Sequence, residues 1–288
     1  MNPILFSLGK IKITYYGLMY AISFLLGIEI AKKYGEKKGL SPEAIENYAF
    51  IAMISGLIGG RIYYVIFNLD YYLAYPGDIL AVWKGGMAIH GGILGGIIGT
   101  CIYGRIKKLN PLLLGDCVAV PLLLGQAIGR IGNLMNGEIY GVPTFTPLKY
   151  IFTLKPKFYE WFNYYNSLSV DGKGAFKELV PWGLVFPNSS PAGTEFPNLP
   201  LHPAMLYELV LNLIGVLFLW FFLRKKNYKT GTLWCSYIII YSIIRTFVSF
   251  FRAEDLMFYG FRAPHVISVV LIIISSLLIY KINKKNKN

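Results

Sequence analysis

The sequence predicts an all-α integral membrane protein with about seven transmembrane helices, and three observations support this prediction. Hydrophobic residues make up 55% of the 288 residues and the mean hydropathy is +0.50, whereas soluble domains are about 45–50% apolar. The apolar residues collect in stretches of about 20, the length of helix that crosses a hydrocarbon core about 30 Å thick. These stretches are continuous rather than alternating, which favours helices over a membrane barrel. The predicted spans are about 15–34, 46–68, 87–105, 112–135, 203–223, 232–251 and 263–281.

The charges between the spans predict the orientation of the helices, because Lys and Arg are enriched in short loops on the cytoplasmic side. On one side, the connections around 32–38, 105–108 and 224–229 and the C-terminal tail hold 15 Lys and Arg residues, whereas the other side holds 5. We therefore predict an N-terminus outside and a C-terminus inside, as an odd number of spans requires.

The third span is rich in glycine. Gly91, Gly95 and Gly99 are spaced four apart, with Gly92 and Gly96 beside them. Small residues at this spacing let two membrane helices approach closely. We interpret these glycines as packing residues rather than as part of a binding site.

Residues 140–202, between spans four and five, are too rich in proline to form a span. Pro143, Pro156 and Pro181 are spread through this segment, together with glycines and aromatic residues. We predict a folded extracytoplasmic insertion with aromatic residues at the membrane interface. The whole chain, 1–288, is then a single polytopic membrane domain.

The net charge of +13 raises the possibility of nucleic-acid binding, but the distribution of the charge argues against it. The basic residues form short clusters between apolar segments, as in positive-inside loops, and no nucleic-acid motif accompanies them. The cysteines Cys101, Cys117 and Cys235 are odd in number and irregularly spaced, so neither a disulfide framework nor a zinc site is expected.

Charged residues inside the predicted spans are candidates for function, because burying a charge in a membrane is costly. They are Glu29, Arg61, His90, Asp116, Arg130, Glu138, Glu208 and Arg245, with His202 at the start of a helix. In the predicted orientation all except Glu29 and Asp116 lie in the outer half. A transporter would need polar groups across the full depth of the membrane. The pattern favours a cavity open to the outer leaflet, and two arginines there favour a phosphate ligand.

Two sets of polar residues share a helix face. Arg130, Asn133 and Asn136 are three apart, and Tyr241, Arg245 and Ser249 are four apart. Residues at these spacings are neighbours on a helix. A single pair of this kind is often only an interhelical hydrogen bond, but the convergence of several on one side favours a site.

The chain resembles the prolipoprotein diacylglyceryl transferases. The most specific motif is GRIGNLMNGEIYG at 129–141. The other motifs follow in the order of the family: YYGLMY at 15–20, GGR at 59–61, GGMAIHGG at 85–92, HP at 202–203, LYE at 206–208, and Arg245 and Arg252 in the sixth span.

The resemblance implies a seven-span enzyme of the bacterial cytoplasmic (inner) membrane. Such enzymes move a diacylglyceryl group from phosphatidylglycerol to the lipobox cysteine thiol in the signal peptide of a lipoprotein precursor, and glycerol phosphate is the other product. No cofactor or metal is implied, and the partners are these two substrates and the surrounding membrane lipids. A non-catalytic lipid or lipoprotein binder and a transporter remain the alternatives.

The resemblance also assigns the candidate residues. His90 is expected to be the base that activates the thiol, which titrates near pH 8.5 when unperturbed. Arg130 and Arg245 are expected to stabilise the charge of the phosphate leaving group. The expected substrate-binding residues are Tyr16, Arg61, Asn133, Asn136, Glu138, Tyr207, Glu208 and Tyr241.

Three positions depart from the family pattern. Met205 and His265 stand where the family usually has Gln, and Ser249 stands where it usually has Glu. A glutamate at 249 would orient Arg245 from one helical turn away. The sequence therefore predicts that another carboxylate, Glu138 or Glu208, orients Arg245 in this protein.

Overall fold

A computed structural model describes residues 3–8, 11–226 and 228–284, and it is mostly helical. Helices are found at all seven predicted positions, with ends within about four residues of the prediction. The helices are α1 (Tyr15–Glu36), α2 (Pro42–Ile66), α3 (Leu69–Ala74), α4 (Ile89–Ile106), α5 (Pro111–Asn136), α6 (Leu148–Ile151), α7 (Phe158–Ser167), α8 (Val170–Gly174), α9 (Pro191–Glu195), α10 (Ala204–Phe218), α11 (Thr232–Phe251) and α12 (Ala263–Lys284). A π-helical segment, Leu219–Leu223, extends α10, and two 3-10 helices, Pro76–Leu80 and Val82–Lys84, precede α4.

Five of these helices are long and apolar enough to cross a membrane: α2, α5, α10 with its π-helical extension, α11 and α12. Helix α1 has the length but carries charges in its second half. In helix α4 the glycines, His90 and Arg105 lower the mean hydropathy. Part of the charge used to predict the orientation, Lys10 and residues 285–287, lies outside the described residues.

The mostly helical structure agrees with the predicted all-α class, and it also has two short β-hairpins that the sequence did not predict. Strand β1 (Ile4–Leu8) pairs antiparallel with β2 (Ile11–Thr14), immediately before α1. Strand β3 (Met257–Phe258) pairs with β4 (Phe261–Arg262), between α11 and α12. Runs of two to five residues are too short for their periodicity to be recognised in a mostly apolar sequence.

The chain forms two compact units, one from Ile28 to Val118 and the other from the chain on either side of it. In the first unit α2 and α4 pack closely through glycines. A Cβ added at Gly59 would lie 2.8 Å from the Cα of Gly95, and one added at Gly95 would lie 3.0 Å from the Cα of Gly59. Larger side chains would push the helices apart, so the interpretation of these glycines as packing residues is confirmed.

In the other unit α11 packs against both α10 and α12. The buried face of α10 carries polar residues as well as apolar ones, including Glu208 and Asn212, both 0% exposed. On the side of α12, His265 Nε2 donates a hydrogen bond to the carbonyl of Thr246 on α11 at 3.1 Å. This histidine, one of the three departures from the family pattern, therefore ties the last two helices together.

The segment predicted as an insertion folds around its own aromatic core. Phe158, Trp161 and Phe196 are each at most 3% exposed and pack with the neighbouring rings. The two ends of the segment are joined, since the amide of Gly141 donates to the carbonyl of His202 at 2.8 Å. This closure places the residues after α5 beside the start of α10.

Candidate functional site

The end of α5 carries the first group of candidate residues. Gly137 has a φ of +67°, and its amide donates to the carbonyl of Leu134 at 3.2 Å. The amide of Glu138 donates to the carbonyl of Asn133 at 2.9 Å. These two bonds form a Schellman motif, in which a left-handed glycine ends the helix. The turn folds Glu138 back, so that its carboxylate contacts the last turn of the helix it follows.

Asn133, only 3% exposed, is the centre of a hydrogen-bonded network. Its Nδ2 donates to the hydroxyl of Tyr16 and, at 3.3 Å, to Oε2 of Glu138. The Tyr16 hydroxyl donates to the same carboxylate oxygen at 3.4 Å, and Asn136 Nδ2 donates to Oε1 at 3.3 Å. Gly132 makes room for the tyrosine, because a Cβ there would lie 3.2 Å from its ring. Four predicted residues thus meet at the ends of α1 and α5.

Arg130 connects this network to α10. Its Nη1 donates to Oδ1 of Asn133 at 3.0 Å, and its Nη2 pairs with Oε1 of Glu208. The Glu208 side chain is 0% exposed and that of Arg130 is 15% exposed. Among the described residues, Arg130 Nε and Glu208 Oε2 are buried without a hydrogen-bond partner. A donor and an acceptor therefore remain available to a polar ligand.

Arg245 on α11 is held by Asp255, which lies in the loop after that helix. Its Nη2 donates to Oδ1 of Asp255 at 2.8 Å, and the hydroxyl of Ser249 donates to Oδ2. The side chain of Asp255 is 2% exposed. The loop folds back along the last turns of α11, so that the carboxylate reaches two residues that share one helix face.

The prediction that Glu138 or Glu208 orients Arg245 is therefore wrong. The carboxylate bonded to Arg245 belongs to Asp255, whereas Glu208 is paired with Arg130. The physical reason is proximity, because Asp255 follows α11 directly in the chain and folds back onto it. Glu138 and Glu208 already bond to Asn133 and Arg130, respectively.

Two more arginines surround the same carboxylate. Arg252 Nε lies 3.6 Å from Oδ1 of Asp255 and Arg262 Nη1 lies 3.7 Å from Oδ2. Burial, together with the charge of Arg245, lowers the pKa of Arg252 to about 10. Burial also lowers the pKa of Arg262. A guanidinium with a pKa near 10 is still cationic at neutral pH, so three cations here face one anion.

Tyr241, half-buried on α11, lies near both charged groups. Its hydroxyl interacts electrostatically with Glu208, Arg130 and Arg245, and its ring stacks on Tyr237 with centroids 6.4 Å apart. Tyr241 is therefore the residue that lies within electrostatic range of both the Arg130–Glu208 pair and Arg245. A phenol beside them can donate a hydrogen bond to an anionic oxygen.

Tyr207 is fixed by two neighbours. Its hydroxyl accepts a hydrogen bond from Trp182 Nε1 and bonds to His202 Nδ1, both at 2.9 Å. His202 is 2% exposed, and burial lowers its pKa to about 4, so the ring is neutral at neutral pH. This chain joins the start of α10 to the 140–202 segment.

His90 belongs to the unit from Ile28 to Val118. It is the second residue of α4 and is exposed. Its ring lies 6.1 Å, between centroids, from that of Tyr63 on α2. An exposed imidazole at the start of a helix is accessible to an incoming thiol, which a general base requires.

Arg61, in the same unit, is 6% exposed. The resemblance implied that its guanidinium binds substrate, but in the structure the guanidinium bonds to the backbone. All five of its N–H groups are donated to backbone carbonyls, and its guanidinium lies 5.2 Å from the centre of the Tyr72 ring. The accepting carbonyls are those of Asp78, Ile79, Ala81, Gly85 and Gly86, at 2.6 to 3.4 Å. The bonds fold the segment before α4 onto α2 and leave no donor for a substrate.

Asp255 and Arg262 are the two site residues that the sequence did not predict. Both lie in the loop between α11 and α12, for which the sequence predicts only a position on the outer side of the membrane. Helical spacing gives no signal for Asp255, because the chain is no longer helical from Arg252 onwards. Nothing in the pattern of the sequence marks Arg262 as buried.

Comparison with known proteins identifies the family. Residues 3–281 match the family model for prolipoprotein diacylglyceryl transferase. A protein of Fusobacterium nucleatum subsp. nucleatum, named phosphatidylglycerol–prolipoprotein diacylglyceryl transferase, is 64% identical over 286 residues, 99% of each chain. A protein of the same name from a bovine strain of Staphylococcus aureus is 33% identical over 288 residues, 99% of this chain and 91% of the relative. The chain therefore belongs to the prolipoprotein diacylglyceryl transferase family.

Proposed function

We propose that the protein transfers a diacylglyceryl group from phosphatidylglycerol to the cysteine thiol of lipoprotein precursors. Family membership and the names of the relatives support the reaction. One structural observation carries the proposal: Arg245, Arg252 and Arg262 surround the single carboxylate of Asp255. Such an excess of buried positive charge is suited to a phosphate group, because guanidinium binds phosphate with two donors and does not lose its proton.

The reaction exchanges one bond for another. The thiol sulfur attacks the glycerol carbon that bears the phosphate ester, so that a carbon–sulfur bond forms while the carbon–oxygen bond breaks. The electron pair of the broken bond leaves with glycerol phosphate, and the thiol proton passes to a base. The products are a thioether and a phosphate monoester, and the exchange needs neither an oxidant nor a reductant.

The proposed roles follow from these charges. His90 takes the thiol proton, since a thiolate is the reactive form of cysteine. Arg130 and Arg245 stabilise the negative charge that develops on the leaving oxygen and phosphate. Tyr241 donates to the same group. Asn133 holds Arg130 from one side and Glu208 from the other. Tyr16 and Glu138 fix Asn133 in turn, and Asn136 fixes Glu138.

Arg61 and Tyr207 act more indirectly in this proposal. Arg61 shapes the segment before α4, on which His90 depends for its position, through its bonds to backbone carbonyls. Tyr207 fixes the start of α10, the helix that carries Glu208. Substitution of either residue should lower activity through the position of its neighbours.

The proposed location is the bacterial cytoplasmic membrane, crossed seven times with the N-terminus outside. The balance of charge in the connections supports this orientation, and the helices at the seven predicted positions are consistent with it. Residues 140–202 then lie on the outer side, where the lipobox cysteine of an exported precursor would arrive.

One assay tests the function directly. Purified protein is mixed with phosphatidylglycerol and a synthetic signal peptide that contains the lipobox cysteine, and the peptide is weighed by mass spectrometry. The expected result is a mass increase of one diacylglyceryl group, with none for a peptide whose cysteine is replaced by serine. Binding of both substrates without any change in mass would instead favour a non-catalytic binder.

A further inference from the structure

The loop between α11 and α12 carries a carboxylate that the proposed reaction does not use directly. Both oxygens of Asp255 are occupied by protein groups: Oδ1 by Arg245 and Arg252, and Oδ2 by Ser249 and Arg262. The side chain is 2% exposed. A negative charge enclosed in this way cannot bind a phosphate itself. Its interactions are with the arginines around it.

The arginines keep donors that Asp255 does not use. Arg245 Nη1 and Arg262 Nε are buried and have no hydrogen-bond partner among the described residues. The cluster thus combines a surplus of two positive charges with unsatisfied guanidinium donors. An anion with several acceptor oxygens would satisfy both, and a phosphate group has this chemistry.

We infer that Asp255 is a positioning residue, which aligns Arg245 and gathers Arg252 and Arg262 so that their free donors face the phosphate of the lipid substrate. This inference rests on the proposed function. Without the carboxylate, three like charges would repel one another, and Arg245 would lose the bond that fixes its fork. Ser249 adds a hydrogen bond that restrains the carboxylate from the same helix face.

The test is Asp255→Asn, which removes the charge at nearly constant size. Misplacing a group that stabilises a transition state can cost about 100-fold, so we expect the transfer rate to fall by about 10- to 100-fold, together with a higher KM for phosphatidylglycerol. The matched control is Asp171→Asn on α8, an exposed aspartate, which should leave both constants unchanged. Tryptophan fluorescence on heating reports the folded state of each variant.

A charge swap separates positioning from general stability. Ser249 already contacts the Asp255 carboxylate and lies one helical turn after Arg245, so Ser249→Glu brings a carboxylate to the same place. Alone, Ser249→Glu would crowd two buried negative charges and should lower the rate. In the double variant Ser249→Glu/Asp255→Asn the single charge is restored, and the KM for phosphatidylglycerol should return toward that of the wild type.

Two results would overturn the inference. One is a folded Asp255→Asn protein with the kcat and KM of the wild type. The other, decisive even if Asp255→Asn does not fold, is a double variant that regains the folded yield but not the KM.

A separate readout distinguishes failure of the inference from failure of the proposed function. Dioleoyl phosphatidylglycerol should raise the unfolding temperature of the wild type more than dioleoyl phosphatidylcholine does, and Asp255→Asn should lose this difference. A wild type that shows the difference but transfers nothing would refute the enzyme while leaving Asp255 as a positioning residue of a lipid site. If Asp255→Asn keeps the difference, the positioning role is refuted.

Discussion

At the scale of single residues, the candidate site consists of buried charged side chains whose charges are only partly balanced by their neighbours. Arg130 and Glu208 form a pair that is largely shielded from water, yet each keeps one buried polar atom without a partner among the described residues. A buried charge is stable only when it is paired and hydrogen-bonded, and an unsatisfied donor adds to the cost. Such atoms are expected where a polar ligand completes the arrangement.

Arg130→Lys should reduce the transfer rate by about tenfold or more, because lysine keeps the charge but loses the planar fork that donates from two nitrogens at once. The measurement is the initial rate of peptide modification at saturating phosphatidylglycerol. Arg105→Lys, at an exposed position near the end of α4, is the matched control and should behave as the wild type. A fully active Arg130→Lys enzyme would remove Arg130 from the phosphate site.

His90→Ala should lower turnover by about 100-fold, the usual contribution of a positioned base. The position is exposed, so the substitution should leave the unfolding temperature nearly unchanged, and the loss of rate can be attributed to chemistry. The pair of measurements is the transfer rate and the unfolding temperature of the same preparation. Near-normal turnover in a folded His90→Ala protein would exclude the histidine as the base.

At the scale of elements, the ends of the helices determine where the site residues lie. The chain leaves α5 through the Schellman turn and passes Gly141, which meets the end of α11 and residue 202. A Cβ at Gly141 would lie 2.6 Å from the carbonyl oxygen of His202 and 2.7 Å from that of Phe251. Only glycine lets the three segments join this closely.

Gly141→Ala should therefore destabilise the protein, by about 1–3 kcal/mol if the cost resembles that of overpacking a core. It should also lower activity, because the displaced segments carry Glu138 and Arg252. Thermal unfolding in detergent measures the first effect and the transfer assay measures the second. Gly174→Ala, where an added Cβ meets nothing within 4 Å, is the control. Equal stability of the two variants would contradict the close approach.

The long elements could be predicted from the sequence, because a continuous apolar run of about 20 residues has few alternatives in a membrane. The close packing of α4 was also predictable, since glycines four apart at Gly91, Gly95 and Gly99 have a direct steric meaning, but the identity of its partner, α2, was not. The hairpins were not, because strands of two to five residues leave no periodic signal.

The partners of the arginines could be predicted only in part. The 129–141 motif indicated Arg130, Asn133 and Glu138, and these side chains do meet. Asp255 was missed because the path of a loop is not encoded in helical spacing. Arg61 shows the opposite failure: an arginine in a span was expected to bind substrate, but its donors satisfy backbone carbonyls that the sequence does not reveal.

At the scale of the whole molecule, the proposed topology can be tested by the accessibility of introduced cysteines. In a variant without the three native cysteines, Ser167→Cys in the 140–202 segment should react in intact cells with a membrane-impermeant maleimide. Lys107→Cys, after α4, should react only after the membrane is permeabilised. Both positions are exposed, so burial does not confuse the result. The reverse pattern of labelling would invert the orientation and move the candidate site to the cytoplasmic half.

The central claim is that the enzyme breaks the carbon–oxygen bond between the diacylglyceryl group and the phosphate. Phosphatidylglycerol labelled separately in its acyl chains and in its phosphate tests this claim most directly. After incubation with protein and the cysteine peptide, the acyl label should appear on the peptide and the phosphate label in water-soluble glycerol phosphate, in equal amounts. Neither should be released without the thiol. If the two labels stay together in the lipid, or pass together to the peptide, the proposed transfer of a diacylglyceryl group is wrong.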